Sequence, residues 1–236
     1  HADFGGRARS GFDAIDGGSA DDCHGHGTHV AGTVGGTSFG VAKGVSLVAV
    51  RVLNCAGNGT FAQVIAGIDF VTGDHDPGEA AVANMSLGGG PDSATDTAVR
   101  NSIADGVTYS LSAGNANANA CNQTPARVTE ALTVGATDIN DQRASFSNKG
   151  RCLDLFAPGV AITSAWVTSD TATNTISGTS MAAPHVTGAA AILLFAHPTW
   201  TPQQVGDRIV ADATRGVVGN RGGGSPNRLL FVSQTP

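Results

Sequence analysis

Gly178 to Ala196 reads GTSMAAPHVTGAAAILLFA, a polar opening followed by an alanine-rich apolar run long enough for a buried helix. Ser180 stands at the start of that helix, between small residues that leave its hydroxyl uncovered. Free N–H groups and the helix dipole favour negative charge at such a position, the charge that forms when a serine attacks a carbonyl carbon. A serine that merely caps a core helix would use the same residue types, so the stretch alone leaves both roles open.

Upstream, β-branched apolar runs alternate with helical patterns. GVSLVAVRVLN (Gly44 to Asn54), AAVANMSLGG (Ala80 to Gly89), GVTYSLSAGN (Gly106 to Asn115), ALTVGATD (from Ala131) and a run beginning near Leu153 read as strands. A Gly-rich loop at Gly57 leads into a helix ending about Val71, and another helix runs near Ser93 to Asp105. Alternation of this kind predicts an α/β domain with a mainly parallel sheet flanked by helices. Such sheets bind ligands at the carboxyl ends of their strands, where Ser86 and Asn115 fall.

With 236 residues, 41% of them hydrophobic and 14% charged, the chain can bury one substantial core and needs no division. A net charge of −6, with Lys43 and Lys149 the only lysines, argues against nucleic-acid or anionic-membrane partners. The longest apolar run, around Ala189 to Ala196, is too short to cross a bilayer. Cys23, Cys55, Cys121 and Cys152 allow three pairings, among which the sequence does not choose.

A second polar cluster, DCHGHGTHVAG from Asp22 to Gly32, again places a functional side chain among glycines at a helix start. A serine nucleophile needs a neutral imidazole to take its proton, and His26 lies between Gly25 and Gly27. His24, His26 and His29 could also suggest a metal, but the HExxH pattern fails because Gly27 replaces the glutamate.

These segments together resemble the subtilisin-like serine proteases, the subtilases, and within them the proteinase K branch and its aqualysin-like secreted enzymes. The resemblance runs from HADFGGRA at His1 to SPNRLLF ending at Phe231. It implies a three-layer subtilisin-like fold, residues 1–236 forming one catalytic domain, with His26 as general base and Ser180 as nucleophile. SAGN, Ser112 to Asn115, matches the family's oxyanion segment, which gives Asn115 the role of oxyanion donor. It also implies that Gly57, Asn58 and Gly59 on one side, and Ser86, Leu87 and Gly88 on the other, pair with an extended peptide. The side-chain pocket, walled by Ser86 to Gly90 and by Ser112 to Asn115 including Gly114, holds no charge and should prefer aromatic or aliphatic residues before the cut. The aqualysin-like pattern further implies the pairings Cys23 with Cys55 and Cys121 with Cys152, hence a secreted protein, acting as a monomer on protein or peptide substrates. Finally, Asp154 in CLDLF matches a structural calcium ligand, with the carbonyls of Thr129 and Ala131 completing the set.

One family feature is not in these residues. The triad aspartate comes from a strand ending in DTG or DSG, upstream of the segment that matches His1, and no such motif occurs here. Asp3, Asp13, Asp16, Asp21 and Asp22 read as loop carboxylates; those of the acidic loop, Asp13 to Asp22, could make a second calcium site. The expectation is therefore a sequence that lacks its N-terminal segment, folds poorly alone and has two strands left without a neighbour. Two other readings follow: an inactive fragment, or a non-catalytic peptide-binding protein of the same fold. An α/β-hydrolase esterase is excluded because Ala182 breaks GxSxG, and a penicillin-binding type because Ala183 breaks SxxK.

Overall fold

In the computed structural model, which describes residues 1–233, the expected alternation begins earlier than the sequence reading placed it. Strand β1 (Ala8–Asp13) precedes helix α1 (His26–Gly35), and then come β2 (Leu47–Arg51), α2 (Phe61–Asp74), β3 (Val82–Met85), α3 (Ser93–Asp105) and β4 (Thr108–Ser112). The second half contains β5 (Leu132–Thr137), β6 (Leu155–Pro158), β7 (Ile162–Ala165), β8 (Thr173–Ile176), α4 (Thr179–Ala196) and α5 (Pro202–Asp212). Two short strands, β9 (Thr214–Arg215) and β10 (Arg228–Leu229), close it. Local chemistry fixes several helix starts. Thr60 with Gln63 and Thr201 with Gln204 form capping boxes on α2 and α5, and Asp92 accepts the Thr95 N–H at 2.7 Å to start α3.

The main sheet has the order β3-β4-β5-β6-β10-β9, parallel from β3 through β10, with β9 antiparallel at the edge. Alternation along β4 explains the layers. Tyr109 and Leu111 point into one core with Val64 and Ile68 of α2 and Val99 of α3. Ser110, between them, points the other way and donates to the Ala183 carbonyl of α4 at 3.0 Å. On that face Val134 and Leu155 pack with Val186 of α4 and Val205 of α5. The fold is thus helix, sheet, helix, with α1 packed outside α4. Sequence reading placed the longest apolar run at eight or so residues, but α4 spans 18 and is apolar enough to cross a membrane by length and composition. Here its residues fill the space between the sheet and α1.

Strands β1 and β2 pair with each other in parallel but not with the main sheet. Between β2 and β3 lies a cleft of about 1870 Å³, walled by those two strands, α2 and the inner faces of α1 and α4. β2 is paired only with β1 and β3 only with β4, so each turns an unpaired edge toward it. One expectation is corrected. Asp13 is not a loop residue: it ends β1, is 4% exposed and binds Arg51 at 2.9 Å. The reading missed β1 because Gly11 and charged residues interrupt its apolar pattern.

Both disulfides join the cysteines as the resemblance implied, Cys23 with Cys55 and Cys121 with Cys152. Each closes a loop of about thirty residues, for which chain entropy suggests roughly 3 to 4 kcal/mol.

Candidate active site

Ser180 occupies the first turn of α4, after the extended Gly178. Its Oγ donates to the Ser86 carbonyl at 3.3 Å, and the Ser86 hydroxyl donates back to the Ser180 carbonyl at 2.8 Å, so the end of β3 is stitched to the start of α4. Neighbouring Thr179 fixes Asn115. The Asn115 Oδ1 accepts from the Thr179 N–H at 2.8 Å and from its hydroxyl at 2.9 Å, which leaves Nδ2 as the free end of the amide. A methyl placed on Gly178 would lie 3.6 Å from both Asn115 Nδ2 and the Ser180 backbone N. The Asn115 amide nitrogen and the Ser180 backbone nitrogen therefore lie near one place beside the serine.

His26 opens α1, packed against α4. Gly25 before it has φ 102°, and a Cβ there would come within 2.6 Å of the Trp166 ring, so only glycine fits. The helix has no cap at Gly25; Asp22 supplies one from three residues upstream. Its Oδ1 accepts the His24 and Gly25 N–H groups at 2.8 Å each, and Oδ2 accepts Thr28 N–H at 2.7 Å and Thr28 hydroxyl at 2.8 Å. Burial pushes the Asp22 carboxyl up, but these bonds outweigh it and hold it below the usual range. Burial, helped by His24, lowers the His26 pKa and so keeps the imidazole neutral, the form a general base needs, with Asp22 acting weakly against this. Among the described residues no carboxylate bonds to the His26 ring, which instead lines the cleft between β2 and β3. His29 is fully buried, with Nε2 3.0 Å from the Ile162 carbonyl and its ring edge-on to Trp166. No group of three potential metal-binding side chains forms among the described residues.

The two expected substrate edges are formed by short backbone segments. Gly57, Asn58 and Gly59 make an exposed turn held by Asn54, whose Oδ1 accepts the Ala56 and Asn58 N–H groups at 2.9 and 3.1 Å. Ser86, Leu87 and Gly88 follow directly on β3, and the Asn84 amide holds the Ser86 hydroxyl at 2.9 Å.

Residues 5–229 match the Subtilase family of peptidases. The chain belongs to the subtilases. It is 63% identical over 233 residues to an extracellular serine proteinase of Thermus sp. (strain Rt41A), covering 98% of this chain and 56% of the relative. It is 52% identical to alkaline serine exoprotease A of Vibrio alginolyticus, covering 98% of this chain and 42% of that protein. The chain therefore spans about half the length of these curated relatives. A crystal structure of a cold adapted subtilisin-like serine proteinase superposes with a TM-score of 0.95 at 50% identity, covering 99% of this chain and 84% of that one.

In this subtilase Asp154 stands at the foot of β6. Its Oδ2 accepts the Thr133 N–H at 2.8 Å, and among the described residues Oδ1 has no hydrogen-bond partner. Burial raises its pKa to about 6, against the opposing effects of the Thr133 bond and Arg228. A half-buried carboxyl with a free oxygen, bonded to Thr133 two residues along the chain from the Thr129–Ala131 segment, fits a hard cation such as calcium. The acidic loop is spent otherwise. Asp13 and Asp16 both bind Arg51 at 2.9 Å and Asp22 caps α1, so these carboxylates are not gathered into a second site.

Sequence reading passed over Thr179 and Asn148, which hold Asn115 and its loop. Thr179 could have been noticed from its place beside Ser180. Asn148 gives no signal in the sequence, because its partners lie about thirty residues upstream.

Proposed function

We propose that the chain is the catalytic domain of a secreted serine endopeptidase. The convergence of Asn115 Nδ2 and the Ser180 N–H beside the Ser180 hydroxyl carries this reading. An extended peptide lies between Gly57–Gly59 and Ser86–Gly88, its scissile carbonyl oxygen directed at those two donors. Ser180 Oγ leaves the Ser86 carbonyl and attacks the carbonyl carbon while its proton passes to the neutral His26. The imidazolium then protonates the departing amine, and water repeats the cycle on the acyl-enzyme. The pocket bounded by Ser86 to Gly90 and by Gly114 carries no charge, which favours an aromatic or aliphatic side chain before the cut.

The imidazole also needs a carboxylate to orient it. The cleft between β2 and β3 has the place for it: two free strand edges, apolar walls and His26 among its lining. A further parallel strand, ending in Asp-Thr-Gly or Asp-Ser-Gly, fills that cleft in the working enzyme and presents its aspartate to His26. Calcium, held by Asp154 with the Thr129 and Ala131 carbonyls, supplies structural charge away from the reacting atoms.

In the protein completed by that strand, Ser180→Ala should abolish casein hydrolysis, and phenylmethylsulfonyl fluoride should label Ser180 and nothing else. Undiminished hydrolysis by the alanine variant ends the proposal. Retained peptide binding without any turnover in the strand-completed parent would favour the peptide-binding reading.

A further inference from the structure

The segment 113–119 that carries Asn115 has no regular structure, and residues 115–119 are exposed. A loop of that kind, left to itself, would sample many conformations. Backbone bonds from Asn117 N–H to the Phe146 carbonyl at 2.7 Å and from Lys149 N–H to the Ala118 carbonyl at 2.9 Å hold it in part, as does the Thr179 hydroxyl, which accepts the Gly114 N–H at 3.0 Å, but one side chain beneath it makes the most bonds. Asn148 is 0% exposed, and its amide reaches the loop on both sides of Asn115. Nδ2 donates to the Ala113 carbonyl at 2.8 Å and to Gln123 Oε1 at 3.0 Å. Oδ1 accepts the Ala116 N–H at 3.1 Å and the Ala118 N–H at 2.8 Å. The Asn148 backbone N–H adds a fifth bond, to the Gly114 carbonyl at 2.9 Å. An amide has two donors and one oxygen with two lone pairs, so every capacity of this side chain is used. Gly114, with φ +97°, is required for the fit, since a Cβ there would collide with Gln123 Oε1 and Asn148 Nδ2.

The geometry points to Asn148 as a positioning residue for the oxyanion site: it sets the backbone on both sides of Asn115 and thereby aims Asn115 Nδ2. Thr179 clamps the amide oxygen from one side; Asn148 fixes the Cα from below. The inference rests on the proposed role of Asn115. It assigns Asn148 no contact with substrate. Its substitution should therefore act chiefly on the transition state through Asn115, with only a small effect on ground-state peptide binding through the pocket wall at Gly114.

The test is a double-mutant cycle in the strand-completed, active protein, with a peptide p-nitroanilide as substrate. Asn115→Leu comes first and should lower kcat by about a hundred- to a thousandfold. Asn148→Asp keeps the size and the acceptor but replaces both donors with an oxygen facing two acceptors. It should lower kcat about tenfold with KM within about twofold of the parent. In the Asn115→Leu background the same change should cost no further activity. Equal losses in both backgrounds, or a change in KM alone, would overturn the inference, because a general structural role acts on Ser180 and His26 as well. Should Asn148→Asp not fold, Gln123→Met removes one of the four side-chain bonds; kcat should fall about two- to threefold, again only when Asn115 is present. No fall with Gln123→Met sinks the idea. If Asn115→Leu itself leaves kcat unchanged, the oxyanion reading fails and takes Asn148 with it; if only the Asn148 and Gln123 variants fail to respond, that reading survives alone.

Discussion

The sheet has a closed half and an open half. Strands β4, β5 and β6 are paired on both sides, and every residue of β4 and β5 is buried. By contrast β2 and β3 each leave an edge facing the cleft, and β2 has no fully buried residue. The candidate catalytic groups are divided the same way. Ser180 and Asn115 are held by the closed half, through α4, Thr179 and Asn148, whereas His26 projects from α1 into the open half. On the proposed reading, the electrostatic part of the site is assembled by this chain's own contacts, and the orientation of the base depends on what fills the cleft.

The largest expected effect is on turnover. Chain 1–236 should be almost inactive, and extension on its N-terminal side by an apolar strand ending in Asp-Thr-Gly should raise kcat by about 3 × 10⁴, the loss that accompanies removal of the triad aspartate in a subtilisin. Equal turnover with and without the strand would mean that one carboxylate of the present chain already orients His26, and the division of labour would collapse.

A smaller effect concerns stability. Phe156 of β6 is 0% exposed while Val48 of β2 is 41% exposed. Phe156→Ala should cost about 3 to 5 kcal/mol and Val48→Ala less than about 1 kcal/mol, read from urea midpoints. Similar costs at the two sites would show the halves to be equally consolidated.

The smallest effect concerns the calcium proposed at Asp154, which would tie β6 to the turn before β5 in the closed half. Without the ion, burial raises the carboxyl to about 6 from the ordinary 3.8. The fold then favours the protonated form, so the stability this group contributes is complete below about 3.8 and is lost as pH rises through about 6. Calcium at the proposed site would bind the ionised form and offset that loss. At a calcium concentration about a hundred times Kd, Tm should rise by about 5 to 10 °C near pH 8 and by little near pH 5. Asp154→Asn should remove the calcium response at both pH values while leaving initial turnover near the parental level. A parental response in the asparagine variant places the ion elsewhere.

Most of the scaffold was legible because it is local. The β-branched runs around Leu47, Val82, Thr108 and Leu132 became β2, β3, β4 and β5, each trimmed by a few residues at its ends, where hydrogen bonding and not composition sets the limit. Helix α3 fell where its pattern placed it, Ser93–Asp105. Strand β1, the β7-β8 hairpin and α5 escaped notice. The strands are short and polar, so their identity comes from the partner they pair with.

By itself the sequence determined which side chains could do chemistry, Ser180, His26 and Asn115, because small residues, glycines and helix starts leave a local signature. Only the tertiary structure decided how those groups are held. Asp22 became a helix cap, Asp13 the end of a strand and Asn148 the anchor of the loop that carries Asn115, since each role depends on backbone groups that the fold brings within hydrogen-bonding distance. The same is true of the cleft. A sheet edge is left open by how strands pair across the chain, and pairing between distant segments has no period in the sequence to announce it.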